Sequence, residues 1–506
     1  MNWSQHLERL QAARAAARTA RAGQAERAAA RGRMLCRDRI QCLLDPGSFC
    51  ETGVLAGSIL DDVDAPADGL VCGVGAIDGR LVCVAADDGS YFSGARGLSA
   101  ERKLSRLRRR AALEGMPFVW LQEGSGARIQ EQMGAKFAGA FAEPFLEQVQ
   151  CMSGRIPTVA AMLGNCFGQP AFIAALADFV VMTPTALAGV SGPPVIAAAT
   201  GEVVSPEELG GWEVHARETG LVDHVAADEL AALAAIRQYL AFFAPNSSLP
   251  PPVSPGAEAG GEQSSLITLV PADLKVAYDM RDVLRVVVDA DSLLEIQPEF
   301  GPAVITAWAR IGGFPVGVIA SQPRHAGGAL DPTAADKMAE FIELADAFQM
   351  PLVFLQDVPG FLVGSRMERQ AQVARATRVL KALAQSTTPK FTVILRKAYG
   401  LAYMVMCGAP VHPRSIVAWP TASISQMGPG PGVNVIYHRE LAAATDREAR
   451  RGELEQAFEQ LLDPYIAARH ALIDDIIDPA DTRGHLVAEL ARAHAAWAPR
   501  RRKETA

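Results

Sequence analysis

The sequence predicts an α/β fold made of two related half-domains, and three observations lead to this prediction. The chain has 506 residues, more than one hydrophobic core normally organises, so two domains are expected. Hydrophobic residues make up 49% and charged residues 21%, which is typical of globular proteins and excludes disordered and fibrous classes. Short apolar runs with the character of buried strands alternate with Ala-rich and Met-rich helical stretches, and this pattern occurs twice.

The first 33 residues are predicted to form a helix. The stretch from Arg9 to Arg33 is rich in Arg and Ala, a composition that organelle transit peptides share. Glu8, Glu26 and the scarcity of Ser favour an amphipathic helix instead.

A segment rich in Pro, Gly and Ser divides the chain nearly in half. It covers residues 245–264, and its composition resists both helix and strand. We therefore predict an N-terminal helix over residues 1–33, a first domain over 34–244, a linker over 245–264 and a second domain over 265–506.

The two halves contain a strand, a glycine turn and a helix in the same order. An apolar strand opens at Pro157 in the first half and at Pro389 in the second, and Gly168 and Gly400 follow these prolines at the same interval. Strands of this type alternating with helices imply crossover units, which place ligands near the carboxyl ends of parallel strands. The two glycine turns are therefore predicted to face a ligand; the alternative is that both glycines only permit tight turns.

Charge, cysteine usage and hydropathy exclude several functions. The formal net charge of −8 argues against a nucleic-acid partner. The eight cysteines form no CxxC pairs, so no metal site is predicted and reduced thiols in a cytoplasm are the simplest interpretation. No apolar run approaches the roughly 20 residues that span a bilayer, so no membrane association is expected.

The usual side-chain catalysts have no recognisable pattern in this sequence. It lacks a G-x-S-x-G elbow, an H-E-x-x-H helix and a phosphate loop. The histidines are scattered, and Ser125 has no visible base, so we expect neither to be a nucleophile or general base. Backbone N–H groups at a helix N-terminus can stabilise an anion such as an enolate without any catalytic side chain. The two glycine turns are therefore predicted to hold two oxyanions.

Motifs in both halves resemble those of one enzyme family. They are Gly126-Ala-Arg-Ile-Gln-Glu131, Tyr278-Asp-Met-Arg-Asp282, Gly327-Gly-Ala-Leu-Asp331, Asp357-Val-Pro-Gly-Phe361 and Arg396-Lys-Ala-Tyr-Gly400. With them, the chain resembles the carboxyltransferase β subunits of propionyl-CoA and related acyl-CoA carboxylases along nearly its whole length.

This resemblance implies a crotonase-like (ClpP/crotonase) duplication of ββα units, assembled as a hexamer that is a trimer of dimers. It implies transfer of a carboxyl group from carboxybiotin to the α-carbon of an acyl-CoA through an enolate. The chain contains no Met-Lys-Met biotinylation site and no ATP-binding carboxylase region. Biotin carboxylase and a biotin carboxyl carrier subunit are therefore expected as separate partners.

The resemblance also assigns residues to the two turns. The amides of Gly168 and Gln169 are expected to face the thioester oxygen, and those of Leu401 and Ala402 the ureido oxygen of biotin. Further residues are expected to bind substrate, with Met404 lining the acyl pocket: Gly124, Ser125, Gly126, Ala127, Arg128, Gly192, Gly327, Gly328, Pro359, Gly360, Phe361, Tyr399, Gly400 and Met404.

Both turns depart from the family pattern, which commonly has consecutive glycines. Here Gln169 and Pro170 follow Gly168, and Leu401 follows Gly400. A residue with a Cβ disfavours positive φ and proline lacks an N–H, so the geometry of the first pocket is expected to differ. Two alternatives stay open: a decarboxylase acting on malonyl-type or methylmalonyl-type acyl-CoA, since the same oxyanion sites serve both directions, and a non-catalytic scaffold subunit of a carboxylase complex whose altered turns have lost activity.

Overall fold

The computed structural model describes residues 2–19, 23–131, 133–135, 143–254, 256 and 258–499. The chain separates into two compact units, Met1–Leu249 and Pro250–Ala506. The division falls inside the segment predicted as a linker, and each unit contains one large mixed sheet. The finer domain limits stay a prediction.

The first unit alternates helices with strands after an N-terminal helical segment. Its elements are α1 (Trp3–Arg18), α2 (Gln24–Ala29), α3 (Cys36–Leu43), β1 (Cys50–Thr52), β2 (Leu70–Ile77), β3 (Arg80–Asp87), α4 (Leu98–Glu114), β4 (Phe118–Gly124), α5 (Glu143–Glu147), a π-helical turn (Gln148–Met152), β5 (Thr158–Phe167), α6 (Gln169–Ala175), β6 (Phe179–Met182), β7 (Leu187–Gly189), α7 (Pro193–Thr200), α8 (Pro206–Gly210), a second π-helical turn (Val214–Thr219), β8 (His224–Val225) and α9 (Glu229–Phe242).

The sheet of the first unit has the strand order β1-β2-β3-β4-β5-β6-β8, with β7 pairing with β5. The strands β1, β2 and β3 pair antiparallel, and the strands from β3 to β8 pair parallel. β4 is buried along almost its whole length, as expected for a parallel strand that is covered on both faces. The Phe118 and Trp120 rings, 4.3 Å apart, lie in the core beneath α4.

The second unit repeats this order of elements. They are α10 (Leu266–Leu269), α11 (Met280–Val287), β9 (Leu294–Ile296), β10 (Val304–Ile311), β11 (Phe314–Ser321), α12 (Pro332–Ala347), β12 (Leu352–Val358), α13 (Ser365–Arg369), α14 (Gln372–Gln385), β13 (Lys390–Tyr399), α15 (Gly400–Val405), β14 (Ser415–Ala418), β15 (Ser423–Ser425), α16 (Pro429–Ile436), α17 (His438–Ala443), α18 (Arg447–Glu459), α19 (Pro464–Arg469), β16 (Asp475–Ile476) and α20 (Thr482–Ala495).

The second sheet has the order β16-β14-β13-β12-β11-β10-β9, with β15 pairing with β13, which matches the first sheet strand for strand. A buried lysine repeats as well. Lys103 in α4 donates to the carbonyl of Ala67 at 2.8 Å, and Lys337 in α12 donates to that of Val304 at 2.8 Å. Each lysine ties the helix that follows the antiparallel strands back to backbone near those strands. The predicted α/β duplication is confirmed.

The N-terminal segment differs in detail from the expected single helix. It contains two described helices, α1 and α2, and no residue of α1 is buried. None of the helices in the described part of the chain is long and apolar enough to cross a membrane.

Candidate functional site

The first glycine turn lies where β5 ends and α6 begins. Gly168 has φ 72° and ψ −126°, a conformation that a Cβ would strain, and Gln169 is the first residue of the helix. The N–H of Gly168 donates to the carbonyl of Gly189 in β7 at 2.9 Å. That N–H was expected to face the thioester, but it is already engaged inside the sheet because β7 pairs with the end of β5.

The loop Gly124–Arg128 lies against this turn. Gly126 has φ 84°, and a Cβ placed there would lie 3.5 Å from the carbonyl oxygen of Phe167 and 3.8 Å from the nitrogen of Gln169. A Cβ on Gly124 would lie 2.6 Å from the carbonyl oxygen of Gly94. The structure therefore brings together two sequence-predicted segments, with glycines at the points of closest backbone approach.

The side chains of the loop differ in accessibility. Ser125 is exposed and Ala127 is buried. Arg128, predicted to bind substrate, is 1% exposed, and its Nη1 pairs with Asp68 at 2.9 Å and with Glu131 at 2.6 Å. Its guanidinium therefore supports the loop from inside. Gly192 caps the N-terminus of α7, with a Cβ position 3.7 Å from the ring of Phe167.

A third segment at this site was not predicted from the sequence. Residues Phe92–Gly94 form a 3-10 turn in which Phe92 and Ser93 have positive φ, and a Cβ on Gly94 would lie 1.9 Å from the carbonyl oxygen of Glu123. This turn is the counterpart of the Gly327–Gly328 segment. The signal was available in the spacing, because the interval from Gly94 to Gly328 equals the interval between the two buried lysines.

A chain of buried charges runs beneath the first site. Arg96 pairs with Asp87 through Nε at 2.6 Å and Nη2 at 3.1 Å, and its Nη1 lies 3.7 Å from the Glu101 carboxylate. Burial raises the pKa of Glu101, while the positive charges of Arg96 and Arg108 act in the opposite direction.

The cysteine nearest the first turn is unsuited to nucleophilic chemistry. Burial raises the pKa of Cys166 to about 12, so its thiol stays protonated at neutral pH. All eight cysteines of the chain are free. Among the described residues, no group of His, Cys, Asp and Glu is placed to hold a metal ion.

The second turn joins β13 to α15. Gly400 has φ 61°, and a Cβ there would lie 3.0 Å from the carbonyl oxygen of Gln426. Leu401 is 59% exposed, whereas Ala402 is buried. Tyr399 is buried with its hydroxyl 2.8 Å from Ser423 Oγ, and burial raises its pKa.

Two loops accompany the second turn, as in the first unit. A Cβ on Gly328 would lie 2.7 Å from the carbonyl oxygen of Asp357 and 3.7 Å from the ring of Pro359, whereas Gly327 faces open space. The carbonyl of Gly360 accepts a hydrogen bond from Leu330, which also forms a bridge with Phe361. The Gly327–Gly328 turn and residues 359–361 therefore lie together in the second unit, and their role in substrate binding stays a prediction.

A cavity of about 340 Å³ lies beside Gly400. Most of the side chains in its wall are apolar, and Met404, Tyr403 and Ile424 are among them. Met404 is half-buried and contributes to this wall, so it is placed to limit what the cavity can hold.

Beneath the second site, Asp357 and Arg396 form a fully buried ion pair at 2.8 Å. The same guanidinium donates to the carbonyls of Pro271, Asp273 and Val276 at 2.9 to 3.0 Å. Arg396 therefore ties the end of β13 to the segment that leads into α11.

The family model and the related sequences that match this chain all point to one protein family. A family model described as the carboxyl transferase domain matches residues 27–505. The methylmalonyl-CoA carboxyltransferase 12S subunit of Propionibacterium freudenreichii subsp. shermanii is 38% identical over 474 residues, covering 92% of this chain and 89% of that protein. The propionyl-CoA carboxylase beta chain of Saccharopolyspora erythraea is 38% identical over 481 residues, covering 91% and 88%. The methylmalonyl-CoA decarboxylase subunit alpha of Propionigenium modestum is 35% identical over 475 residues, covering 91% and 90%.

The fold of this chain also matches a solved structure of such a relative. A crystal structure of transcarboxylase 12S, described as a hexamer assembly with methylmalonyl-coenzyme A and methylmalonic acid bound, matches with a TM-score of 0.93 at 35% identity. The match covers 100% of this chain and 98% of that chain. The predicted crotonase-like duplication is thereby confirmed, and the chain belongs to the carboxyl transferase domain family.

Proposed function

We propose that this protein transfers a carboxyl group from carboxybiotin to the α-carbon of an acyl-CoA. The observation that carries the proposal is the duplicated junction of strand, glycine turn and helix, at Gly168 and at Gly400, in a chain of the carboxyl transferase family. Parallel strands direct both junctions toward the edge of the sheet where ligands bind in open α/β folds.

The first turn is proposed to hold the thioester. Removal of an α-proton places negative charge on the thioester oxygen, and a backbone N–H directed at that oxygen stabilises the enolate. Gln169 is the proposed donor, with Gly168 shaping the turn through its positive φ. One such donor contributes about 3 kcal/mol in other enzymes. Gly124, Gly126 and Ser125 would line the approach to this oxygen.

The second turn is proposed to bind the biotin group. With its carrier protein docked, carboxybiotin would supply the carboxyl group by cleavage of its N–CO2 bond, and the freed ureido nitrogen would accept the α-proton of the acyl-CoA. The cavity beside Gly400 has room and an apolar wall for a fused bicyclic ring, which fits this assignment. The amides of Leu401 and Ala402 are the proposed donors to the ureido oxygen, while Met404 limits the acyl group that can share the pocket.

The proposal includes partners and an assembly. A biotin carboxylase and a biotin carboxyl carrier subunit would recharge the donor. The hexameric assembly described for transcarboxylase 12S is proposed for this chain as well, because the match covers its whole length. A cytoplasmic location stays a prediction from the sequence.

The decisive experiment follows labelled carboxyl from a carboxybiotin carrier onto acyl-CoAs of graded chain length. We expect label in the product for at least one acyl-CoA, with no ATP required for this half-reaction. Absence of transfer to every acyl-CoA, with a carrier that a known carboxyltransferase accepts, would contradict the proposal and favour a scaffold role.

A second candidate is decarboxylation of a malonyl-type or methylmalonyl-type CoA. The 35% identity to a methylmalonyl-CoA decarboxylase subunit favours this candidate. The turns proposed to hold the oxyanions would serve carboxylation and decarboxylation alike. Consumption of methylmalonyl-CoA without ATP, faster than the labelled transfer in the reverse direction, would assign this direction to the enzyme.

A further inference from the structure

A cavity of about 330 Å³ lies in the second unit, at the edge of the sheet opposite the glycine turn. Pro351 and Pro389 in its wall directly precede β12 and β13, and Phe314 begins β11, so the cavity lies at the amino ends of these parallel strands. Gly400 follows the carboxyl end of β13, which is ten residues long. At about 3.3 Å per residue, roughly 30 Å of strand separate the cavity from that turn.

The first unit fills the equivalent edge of its sheet with its own chain. After α9, Nδ2 of Asn246 donates to the carbonyl of Gly115 at 3.3 Å, and the N–H of Ser247 donates to the carbonyl of Arg155 at 2.9 Å. A Cβ on Gly115 would lie 2.6 Å from Nδ2 of Asn246, so this glycine provides the space that Asn246 occupies.

The second unit has a different residue at the position of this glycine. Gly115 lies two residues before the proline that precedes β4, and Gln349 holds the same place before β12. Both residues have positive φ, 66° and 54°, so the backbone is alike, but Gln349 has a side chain where Gly115 leaves space. The chain after α20 lines the cavity with residues 496–498. The cavity is therefore a feature of the second unit rather than of the repeated fold.

The wall of this cavity is mainly apolar. Its apolar side chains are Phe314, Pro315, Pro351, Pro389, Leu490 and Trp497. The described residues that line it include Arg414 and His494 but no Asp or Glu. Ligand pockets in proteins have volumes of about 300–1,000 Å³ and apolar walls with a few polar groups, so this cavity has the size and wall of a site for a small organic molecule.

Two polar groups of the wall have no side-chain partner among the described residues. Nε1 of Trp497 is buried and forms no hydrogen bond within that part of the chain. The guanidinium of the exposed Arg414 forms no ion pair there, whereas its backbone N–H donates to the carbonyl of Lys390 at 2.7 Å. A buried indole N–H ordinarily has an acceptor, and the fork of an arginine matches the two oxygens of a carboxylate. Both groups therefore fit a ligand with negatively charged oxygen atoms.

The charges behind this wall are compatible with an anion. The buried ammonium group of Lys390 donates to the carbonyls of Ser386 and Thr388 at 2.8 and 3.1 Å. The carboxylate of Asp346 accepts the N–H groups of Thr387 and Thr388 at 2.7 and 3.1 Å, and Asp346 is not among the residues that line the cavity. An anion bound here would therefore face no carboxylate from the described wall.

We propose that this cavity binds a small organic carboxylate with an apolar body of about the size of a phenylalkyl group. The carboxylate pairs with the guanidinium of Arg414 and accepts the N–H of Trp497, while the apolar body lies against the prolines. The site lies at the edge of the sheet opposite Gly400, so it does not depend on the proposed function.

The test is calorimetric titration of the full chain, in its native assembly, with phenylbutyrate. We expect one site per chain with a Kd below about 1 mM. Phenylbutanol has the same apolar body without the charge and should bind at least about tenfold more weakly. Saturating coenzyme A should change the affinity for phenylbutyrate by less than about twofold, because independent sites do not affect each other's affinity.

Variants of the wall identify the site. Arg414→Gln should weaken phenylbutyrate binding at least about tenfold, and Trp497→Phe, which keeps an aromatic ring and removes the N–H, at least about threefold. Ala493→Leu places a larger side chain in the wall and should weaken binding at least about tenfold. The matched control is Arg439→Gln, an exposed arginine of α17 that does not line the cavity, and it should keep the native affinity within about twofold.

The proposal is overturned if phenylbutyrate shows no binding up to about 10 mM, or if phenylbutanol binds as tightly. Equal losses of affinity in Arg414→Gln and Arg439→Gln, or displacement of phenylbutyrate by coenzyme A, would also overturn it. Native affinity in Ala493→Leu would place the bound phenylbutyrate outside this cavity and would contradict the proposal in the same way.

Discussion

Each unit has a carboxylate at the equivalent position of its sheet, but the arginines that pair with this carboxylate come from different parts of the chain in the two units. Glu123 and Asp357 occupy equivalent positions near the ends of β4 and β12. Glu123 pairs with Arg33 at 2.7 Å and with Arg39 at 2.6 Å, and both arginines precede β1 in the chain. Asp357 pairs instead with Arg396 on the neighbouring strand.

The residue opposite each carboxylate explains the difference. Gly164 stands in the first unit where Arg396 stands in the second, and a Cβ at Gly164 would lie 2.6 Å from Cγ of Glu123 and 3.1 Å from Arg33 Nη1. The missing side chain leaves the space that Arg33 fills. The first unit therefore depends on residues before its first strand for charge compensation, whereas the second is self-contained.

The largest effect is expected from Arg396→Met. It leaves the buried Asp357 with Lys397, 3.4 Å away, as its remaining charged partner among the described residues, and it removes the donor to three carbonyls. The free energy of unfolding of the second unit should fall by about 3–5 kcal/mol, measured by chemical denaturation. Arg33→Met should cost only about 1 kcal/mol, because Arg39 still pairs with Glu123. Equal losses of unfolding free energy in Arg396→Met and Arg33→Met would contradict the proposed difference in charge compensation between the units.

A smaller effect is expected from Gly164→Ala. The new methyl group would press on Glu123 and Arg33, and overpacking of this kind costs about 1–3 kcal/mol. The control is Gly452→Ala in α18, where a Cβ meets nothing within 4 Å and helix propensity should add about 0.5–1 kcal/mol. A Gly164→Ala variant as stable as native would show that Arg33 does not fill a space left by the glycine.

Substrate preference should respond to Met404. Met404→Ala enlarges the cavity beside Gly400, so kcat/KM should shift by about tenfold toward longer acyl-CoAs, the scale of one or two methylenes in an apolar pocket. The control is Phe172→Ala, an exposed residue of α6 in the first unit. An unchanged chain-length profile in Met404→Ala would show that Met404 does not limit the acyl group.

The last expected effect is a pH dependence that arises in the first unit. Burial raises the pKa of Asp178 to about 7, against an unfolded value near 4, while hydrogen bonds from Thr158 oppose the shift. The folded state therefore retains a proton that the unfolded state has released, so stability falls as the pH rises from about 4 to about 7. Asp178→Asn should reduce this slope by about 1.4 kcal/mol per pH unit in denaturation curves across that range. A slope that Asp178→Asn leaves unchanged would contradict the assignment to this carboxyl group.

Sequence reasoning recovered the duplication because strand burial and turn glycines leave local signals. The equal spacing from Pro157 to Gly168 and from Pro389 to Gly400 survives in the structure as matching strands and turns. It missed the turn at Phe92–Gly94 because only its last glycine is shared with the second unit. Periodicity carries no information on which residues pair across the sheet.

The chemistry of the site was harder to predict for the same reason. The N–H of Gly168 was expected to be available, but its partner, Gly189, lies on a strand that returns to the sheet only after α6 and β6. Arg128 was expected to face the ligand, whereas its partner Asp68 lies far earlier in the chain, before β2. Such long-range pairs decide which polar groups remain for a substrate.

The first turn is proposed to bind the acyl-CoA thioester and the second turn to bind biotin. The acyl-CoA affinities of Gly168→Ala and Gly400→Ala test this assignment most directly. Both changes strain a glycine at positive φ, so they are matched in kind. Calorimetry should show acyl-CoA binding weakened at least about tenfold, or about 1.4 kcal/mol, in Gly168→Ala and by less than about twofold in Gly400→Ala. Equal losses, or a greater loss in Gly400→Ala, would contradict the assignment of the thioester to the first unit.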